Sequence, residues 1–377
     1  MKILLTSTIP LSLNVFCRGW LKNLKRSGYE VVAVSSPGKD LEAIRMREGV
    51  RTHAVKMYRY ITPLRDFKSL RRLIKVFRME RPQMVHSITP KAGLLSMMAA
   101  WMTRVPVRVH TFTGLVFPTA TGLRRLILAT TDRLTCLFAT HIIPEGNGVK
   151  SDLQRYHITR KPLRVLGYGN LRGVDLKYYN PDDPGVCAAA EPLKKDGIFT
   201  FVFIGRMVGD KGVNELVEAF RILNQECADT RLLLIGWEAE TDPLKPETED
   251  EISRNPAIEY VGYQADVRPW LVASDVLVLP SYREGFPNVV LEAGAMGLPA
   301  IVTDINGSNE IISEGVNGMI VPPKDCRLLY EAMKNMYGFK DKLFGMGKRA
   351  RGIIAERFEQ SYVRYCIKEY YREILGA

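Results

Sequence analysis

Strand-like and helix-like segments alternate along almost the whole chain, and the strand-like ones are apolar enough to be buried on both faces. That pattern restricts the fold to parallel sheets covered by helices. Residues 2–5, 30–34, 83–86, 107–111, 141–143 and 163–166 read as strands of one sheet, and 199–204, 231–235, 258–261, 275–279, 300–303 and 319–321 as strands of a second. Helical spacing fills the intervals, for example at 13–27, 214–226 and 325–337. Two doubly wound α/β domains follow. The run Asn180-Pro181-Asp182-Asp183-Pro184-Gly185 has the composition of a linker. The expected division is 1–178 and 179–357, with 358–377 forming a last helix that carries Tyr362, Tyr365, Ile367, Tyr370 and Tyr371 back to the first domain. At 377 residues, each half is long enough to bury a core of its own.

Composition narrows the class. The six cysteines are scattered, with no Cys-x-x-Cys and no His/Cys cluster of the kind that structural zinc needs, so a reduced cytoplasmic protein is expected. The apolar start of the chain is interrupted by Thr6, Ser7, Thr8 and Pro10, which favours a first β-strand over a signal peptide. The longest apolar stretch, 92–102, falls short of the roughly 20 residues that a bilayer-spanning helix requires.

Charge is unevenly distributed. Residues 1–180 hold 31 Lys and Arg against 10 Asp and Glu, whereas the rest of the chain holds 22 against 31. The segment 64–81 concentrates this excess: Phe67, Leu70, Leu73, Ile74 and Phe77 recur at helical spacing, with Arg65, Lys68, Arg71, Arg72, Lys75, Arg78 and Arg81 on the other faces. Two readings fit: a basic amphipathic helix that lies on anionic lipid while docked to its own domain, or a core-packed helix with a solvated basic face. No helix-turn-helix, zinc-finger or aromatic RNA-binding signature supports nucleic acid as a partner.

Two strand-to-helix turns carry the chemistry. In the first, 201–204 delivers Gly205-Arg206-Met207-Val208-Gly209-Asp210-Lys211-Gly212. Gly205 permits a tight turn, Gly209 and Gly212 admit close approach of a ligand, and Arg206 and Lys211 supply cations at a strand end. This describes a diphosphate cradle without the Walker lysine pattern. In the second, 275–280 leads into Glu284-Gly285-Phe286-Pro287-Asn288-Val289, with Glu292 eight positions after Glu284. Asn288 is the expected N-cap and 289–296 the helix. Ligands bind open parallel sheets at the carboxyl ends of the strands, so both glutamates are expected to face one sugar nucleotide. The cations would replace a metal, and no Asp-x-Asp motif occurs. No cofactor is implied.

Together, Gly205-Arg206-x-x-x-Asp210-Lys211-Gly212 and Glu284-x7-Glu292 resemble the motifs of the retaining glycosyltransferases of family 4. Gly173-Val174-Asp175, Tyr260-Val261-Gly262-Tyr263 and Gly315-Val316-Asn317-Gly318 extend the resemblance over 170–355. The resemblance implies a GT-B fold, two Rossmann-like domains facing a central cleft, and retention of anomeric configuration. It makes Arg206 and Lys211 the grip on the donor diphosphate, Glu284 the contact to donor-sugar hydroxyls and Glu292 the contact to the ribose. Gly285 and the amides of Phe286, Asn288 and Val289 would complete the sugar and phosphate contacts, with Tyr263 near the base. With Glu284, Arg206 and Lys211 as the catalytic group, the donor is expected to be a nucleotide-linked hexose or N-acetylhexosamine, in UDP form as is common in the family.

The amino half would bind the acceptor. Its candidates are Ser7, His86, Lys91, His110 and Thr113; the segment from His86 to Gly93 is similar to a loop of bacterial polysaccharide transferases, and Thr113 stands where many relatives have a histidine. The wording of the second domain is similar to transferases that extend lipid-linked glycans for capsule, O-antigen and protein glycosylation. They imply a polyprenyl-diphosphate-linked acceptor and a peripheral place on the anionic inner face of the cell membrane. Two other classes remain open at this point. One is a UDP-sugar epimerase on the same architecture, and the other a non-enzymic basic protein that binds membrane or nucleic acid.

Overall fold

The apolar runs form strands because each alternates between two buried faces. The structure, a computed structural model, describes residues 1–58, 62–239 and 241–376. It divides into two units, Met1–Arg172 with Ser361–Ala377, and Gly173–Gln360.

In the first unit the order is β1 (Lys2–Thr6), α1 (Pro10–Phe16), α2 (Trp20–Arg26), β2 (Glu30–Ser35), α3 (Lys39–Glu48), β3 (Arg51–Ala54), α4 (Pro63–Glu80), β4 (Met84–Ser87), α5 (Pro90–Met102), β5 (Val107–Phe112), α6 (Gly122–Phe138), β6 (His141–Pro144) and α7 (Asn147–Arg155). The strands pair in parallel in the order β3-β2-β1-β4-β5-β6, so the chain reverses direction across the sheet between β1 and β4. Leu4, Val32, Val34 and Val85 point to a core shared with Leu73 and Phe77 of α4 and Ala92, Leu95 and Ala99 of α5. Ile3, Leu5, Val31 and Ala33 point to the opposite core, with Leu13, Leu21 and Ile44 of α1 to α3. This second core is closed by Val363, Ile367, Tyr370 and Tyr371 from the chain's last helix (Gln360–Leu375).

The second unit runs α8 (Pro184–Ala190), β7 (Phe199–Ile204), α9 (Val213–Glu226), β8 (Thr230–Ile235), α10 (Pro246–Arg254), β9 (Ile258–Gly262), α11 (Arg268–Val272), β10 (Val276–Leu279), α12 (Asn288–Ala295), β11 (Ala300–Thr303), α13 (Ser308–Ile311), β12 (Gly318–Val321), α14 (Cys326–Gly338) and α15 (Lys340–Arg357), and the chain then enters α16, the last helix. Its parallel order, β12-β11-β10-β7-β8-β9, repeats the topology of the first sheet and places the reversal between β10 and β7. Crevices at such reversals, at the carboxyl edge, are where open α/β sheets take ligands.

Several expectations are corrected. The division falls at Arg172/Gly173, earlier than 178/179, because Val174 bridges to Glu359 and its N–H donates to the Phe358 carbonyl (2.9 Å), which ties 173–179 to the second unit. The last helix joins the first unit from Ser361 and not from 358. The supposed linker is the cap of α8: the Asp183 carboxylate accepts from the N–H groups of Gly185 and Val186, both at 3.0 Å. The single helix expected at 13–27 is two, broken at Cys17–Gly19, and the buried Glu48 carboxylate accepts from the N–H groups of Gly19 (2.8 Å) and Lys22 (3.0 Å) at the start of the second. Residues 163–166 form no strand beyond one bridge from Leu163 to Ile142. The edge strand β3 is absent from the expected set; it is polar, and Glu80 bonds its Arg51 (3.0 Å) and His53 (2.7 Å). On α4, Leu70, Leu73 and Phe77 face the core as the spacing predicts, but Phe67 does not; it is exposed.

Candidate active site

Both chemistry-bearing turns lie at the carboxyl ends of β7 and β10, the adjacent parallel strands that flank the reversal of the second sheet. The sequence folds them onto one another through backbone. Gly212 has φ +71°, and a Cβ there would lie 2.1 Å from the Pro280 carbonyl oxygen, so only glycine lets the first loop seat on the second. Gly236, at the end of β8, is the other enforced position: a Cβ would lie 1.6 Å from the carbonyl oxygen of Gly205. Gly205, where a tight turn is expected, and Gly209, where ligand approach is expected, also face protein atoms. A Cβ at Gly205 would meet the Phe203 ring (2.9 Å), and one at Gly209 the Asp242 carboxylate (3.0 Å). Asn288 is likewise the first residue of α12 and not its cap; Pro287, extended at φ −72°, ψ 106°, takes that place.

Polar side chains then lock the two loops together. Lys211 pairs directly with Glu284, and both side chains are largely enclosed. Asp210 stands between two cations, with one oxygen accepting from Arg283 (2.7 Å) and the other 3.7 Å from Arg206. The Tyr282 N–H donates to the Asp210 carbonyl (2.9 Å), and its hydroxyl donates to Glu215 at the start of α9 (2.6 Å). Burial, followed by that hydrogen bond to Glu215, pushes the Tyr282 phenol far above its ordinary range, so it remains a donor. Asp242 closes the back of the loop, accepting from the Asp210 N–H at 2.6 Å. Three cations, Arg206, Lys211 and Arg283, are thus fixed within one loop junction by two carboxylates, Asp210 and Glu284.

The structure brings Gly205, Arg206, Lys211, Glu284 and Gly285 to this junction, with Glu292 in the second turn of α12, the helix that leaves it. Asn288 and Val289 open that helix. The Phe286 side chain turns inward and packs on Phe358, ring centroids 5.4 Å apart and tilted by 56°, which leaves its backbone as the part that could meet a ligand. Tyr263 follows β9, and its ring stands 5.8 Å from the ring of Trp237, tilted by 70°. Both rings are exposed, and the Trp237 carbonyl accepts from the Met207 N–H (3.0 Å), which fixes this aromatic pair to the Arg206 loop. Sequence reasoning gave no role to Arg283 or Trp237 and named Asp210 only as a motif residue. The signals were present: a cation adjoining Glu284, an acid adjoining Lys211, and an aromatic residue after a strand-end glycine.

In the first unit, the acceptor-side candidates gather at the carboxyl ends of β1, β4 and β5, yet three are engaged in the interior. Ser7 is buried and donates to the Ile9 carbonyl (2.8 Å). His86 is hydrogen-bonded to the Tyr371 hydroxyl and to Thr111 Oγ1 (2.7 Å), and it joins α16 to the sheet. His110 bonds Ser87 Oγ (2.8 Å), and a Cβ on Gly93 of α5 would collide with its ring. Burial lowers both imidazoles to about 3, assisted at His110 by the neighbouring His86, so both are neutral at pH 7. Lys91, in the first turn of α5, pairs with Asp66 of α4 (2.6 Å), and Thr113 is half-buried in the turn after β5. Among the described residues no three His, Cys, Asp or Glu side chains group as a metal site would.

Two family models match the chain: "Glycosyl transferase 4-like domain" over residues 13–169 and "Glycosyl transferases group 1" over 198–338. The chain is similar to the capsular polysaccharide biosynthesis glycosyltransferase CapM of Staphylococcus aureus, at 28% identity over 99% of this chain and 96% of that one. It is also similar to the UDP-Gal:α-D-GlcNAc-diphosphoundecaprenol α-1,3-galactosyltransferase of Escherichia coli, at 28% identity over 80% of this chain and 78% of that one. Among solved structures, Anabaena HepE in complex with UDP superposes with a TM-score of 0.81, at 18% identity over 99% of this chain and the whole of that one. The shared fold is GT-B.

Proposed function

The chain belongs to the family 4 glycosyltransferases, and from that premise we propose that it is a retaining, metal-independent transferase that moves a hexose or N-acetylhexosamine from a UDP-sugar to a lipid-linked glycan. The observation that carries this reading is the interlocked pair of loops, in which Arg206, Lys211 and Arg283 converge beside Glu284. As the bond between the anomeric carbon and the diphosphate breaks, negative charge accumulates on the departing β-phosphate. Cations fixed there stabilise that charge more than they stabilise the bound donor, which lowers the barrier and makes a divalent ion dispensable.

The acceptor hydroxyl approaches the anomeric carbon from the face that the diphosphate leaves. Its oxygen forms the new glycosidic bond, the electron pair of the old bond goes to the β-phosphate oxygen, and that oxygen takes the hydroxyl proton. No enzymic base is needed, which agrees with His86 and His110 being enclosed and, with burial lowering them to about 3, weakly basic. Glu284 orients the donor sugar through its hydroxyls, Glu292 holds the ribose, and the Tyr263 side carries the base. The acceptor assignment draws on the E. coli relative, whose name specifies a diphosphoundecaprenol-linked sugar, and on the positive excess of the amino half. A peripheral position on the inner membrane face fits a chain in which no helix of the described residues is long and apolar enough to span a bilayer.

Calorimetry with UDP-, GDP- and dTDP-sugars, with and without EDTA, tests the donor side. Binding of one UDP-sugar, unchanged by chelation, is expected, followed by transfer to a polyprenyl-diphosphate sugar with the anomeric configuration kept. Chelator-sensitive binding, or an inverted product, would overturn the corresponding part.

A further inference from the structure

Among the described residues, six other than glycine have a left-handed backbone. Three of them close helices in the ordinary way: Arg81 caps α4, and Arg104 and His157 directly follow the caps of α5 and α7. Asn170 is turned by its own side chain, which accepts from the Arg172 N–H (2.9 Å). The remaining two, Asp242 (φ +65°) and Lys324 (φ +64°), end no helix. Aspartate by itself tolerates this region, but Asp242 precedes Pro243, where the chain favours extended backbone. Strain of this kind persists only where the surroundings enforce it, and it collects at functional sites.

Both residues bear on Asp210. From Met207 to Gly212 every backbone N–H already has a protein acceptor, which leaves side chains as this segment's means of meeting a diphosphate. Where those cations stand depends on Asp210, whose carboxylate holds Arg283 and Arg206. Its backbone is pinned on both sides: the N–H donates to the Asp242 carboxylate (2.6 Å), and the carbonyl accepts from the Tyr282 N–H (2.9 Å). The Asp242 carbonyl also accepts from the Gly209 N–H (3.1 Å). On the other side, the Lys324 ammonium stands 4.8 Å from the centroid of the Tyr282 ring, within the range in which a cation is drawn to a ring face. Tyr282 is thereby held through its N–H, its ring and its hydroxyl, the last on Glu215. Glycine would adopt either left-handed backbone freely, so the strain is kept for what the two side chains do.

We propose that Asp242 and Lys324 are positioning residues of the transfer reaction, a clamp that grips Asp210 from two sides and so fixes Arg206 and Arg283 where the departing diphosphate gains charge. The inference rests on the transferase reading and adds to it residues that need not touch the donor. Strain in the clamp is the cost of preorganisation: cations already in place do not have to reorganise as the glycosidic bond to the diphosphate breaks. Because the charge that they meet develops in the transition state, the clamp acts on kcat more than on the donor KM.

Steady-state kinetics, melting temperatures and hydrogen exchange test this together. Asp242→Gly and Lys324→Gly relieve the backbone, so each should keep or raise the melting temperature. In each, kcat should nevertheless fall by roughly threefold to tenfold while the donor KM moves by less than about twofold. Asp242→Asn keeps an oxygen acceptor and Lys324→Arg keeps a cation over the ring, and both should recover most of the loss. Either glycine variant combined with Asp210→Asn should lower kcat little further than Asp210→Asn alone, because both act through one carboxylate. Without donor, exchange in the glycine variants should accelerate at 207–212 and 281–284 and stay unchanged elsewhere. Wild-type kcat and wild-type exchange in the glycine variants would overturn the clamp, as would losses that multiply with Asp210→Asn or that follow a falling melting temperature. A raised donor KM for Lys324→Gly with kcat kept would make Lys324 a direct donor contact and overturn its positioning role. Should the wild-type chain transfer sugar from no UDP-sugar, the transferase reading falls, and exchange still decides the clamp: acceleration confined to the two loops supports it, and unchanged exchange overturns it.

Discussion

Asp210 shows how much of this site rests on side chains that need never touch the donor. It holds Arg283 at 2.7 Å and Arg206 at 3.7 Å, so removing its charge frees two cations without removing either. Asp210→Asn should therefore lower kcat by roughly tenfold through misplaced cations, while Arg206→Ala should lower it by roughly a hundredfold or more through lost charge stabilisation. Steady-state kinetics separates them: if Asp210→Asn matches Arg206→Ala, Asp210 has a role beyond positioning. Glu284→Ala should be as severe as Arg206→Ala, because Lys211 then loses its partner and the proposed contact to the donor sugar goes with it. The histidines give a prediction of another kind. An unfolded histidine titrates near 6.5, whereas folded His86 and His110 titrate at about 3, so between those values the unfolded chain binds protons that the folded chain refuses. Stability must fall as pH drops through that window. Melting temperatures from pH 7.5 to 4.5 should decline, and His110→Gln, less stable at pH 7.5, should decline less steeply; an equal slope would mean that another group dominates.

At the level of elements, the two loops are legible in the sequence as separate motifs, but their union is not. Nothing in the spacing of Gly212 and Pro280 announces that a Cβ on one would strike the carbonyl of the other. Gly212→Ala should cost about 2 kcal/mol or more, since it combines a left-handed backbone with a direct clash. Because that strain falls between the loops, UDP binding should weaken together with the melting temperature, and calorimetry with intact affinity would show that the loops tolerate separation. The same distinction explains which elements could be read. Val276–Leu279 and residues 201–204 of β7 are continuous apolar runs and declare themselves. The strand Arg51–Ala54 has no such run; it pairs with β2 and is pinned by Glu80, 29 and 27 positions from the Arg51 and His53 that it bonds. The break at Cys17–Gly19 is equally non-local, set by the Glu48 carboxylate from α3. The outward Leu64 and Phe67 were hidden by the regular period beside them, which correctly marks Leu70, Leu73 and Phe77 as core and says nothing of what the opposite face meets.

Across the whole chain, the two sheets repeat one topology, and each has its reversal beside its first strand, but their carboxyl edges carry different equipment. The second unit places loops full of paired charges at the reversal, while the first encloses its histidines there and turns its cations outward on α4 and α6. That division predicts which unit depends on the last helix. Tyr371 is fully buried in the first unit, packs 6.2 Å from the Trp20 ring and bonds His86, so α16 completes a core whose other members come from the first 170 residues. Tyr371→Ala leaves an aromatic-sized void and a buried imidazole without its hydroxyl partner, which together should cost about 3–5 kcal/mol. The loss should appear in the first unit alone. Hydrogen exchange is expected to accelerate in β1, β4 and α2 while β7, β10 and α12 keep their protection, and UDP should still bind, because every residue assigned to the donor lies between Gly205 and Glu292. If donor binding fell with Tyr371→Ala as steeply as stability did, the two units would be one cooperative structure, and the assignment of donor recognition to the second unit alone would have to be abandoned.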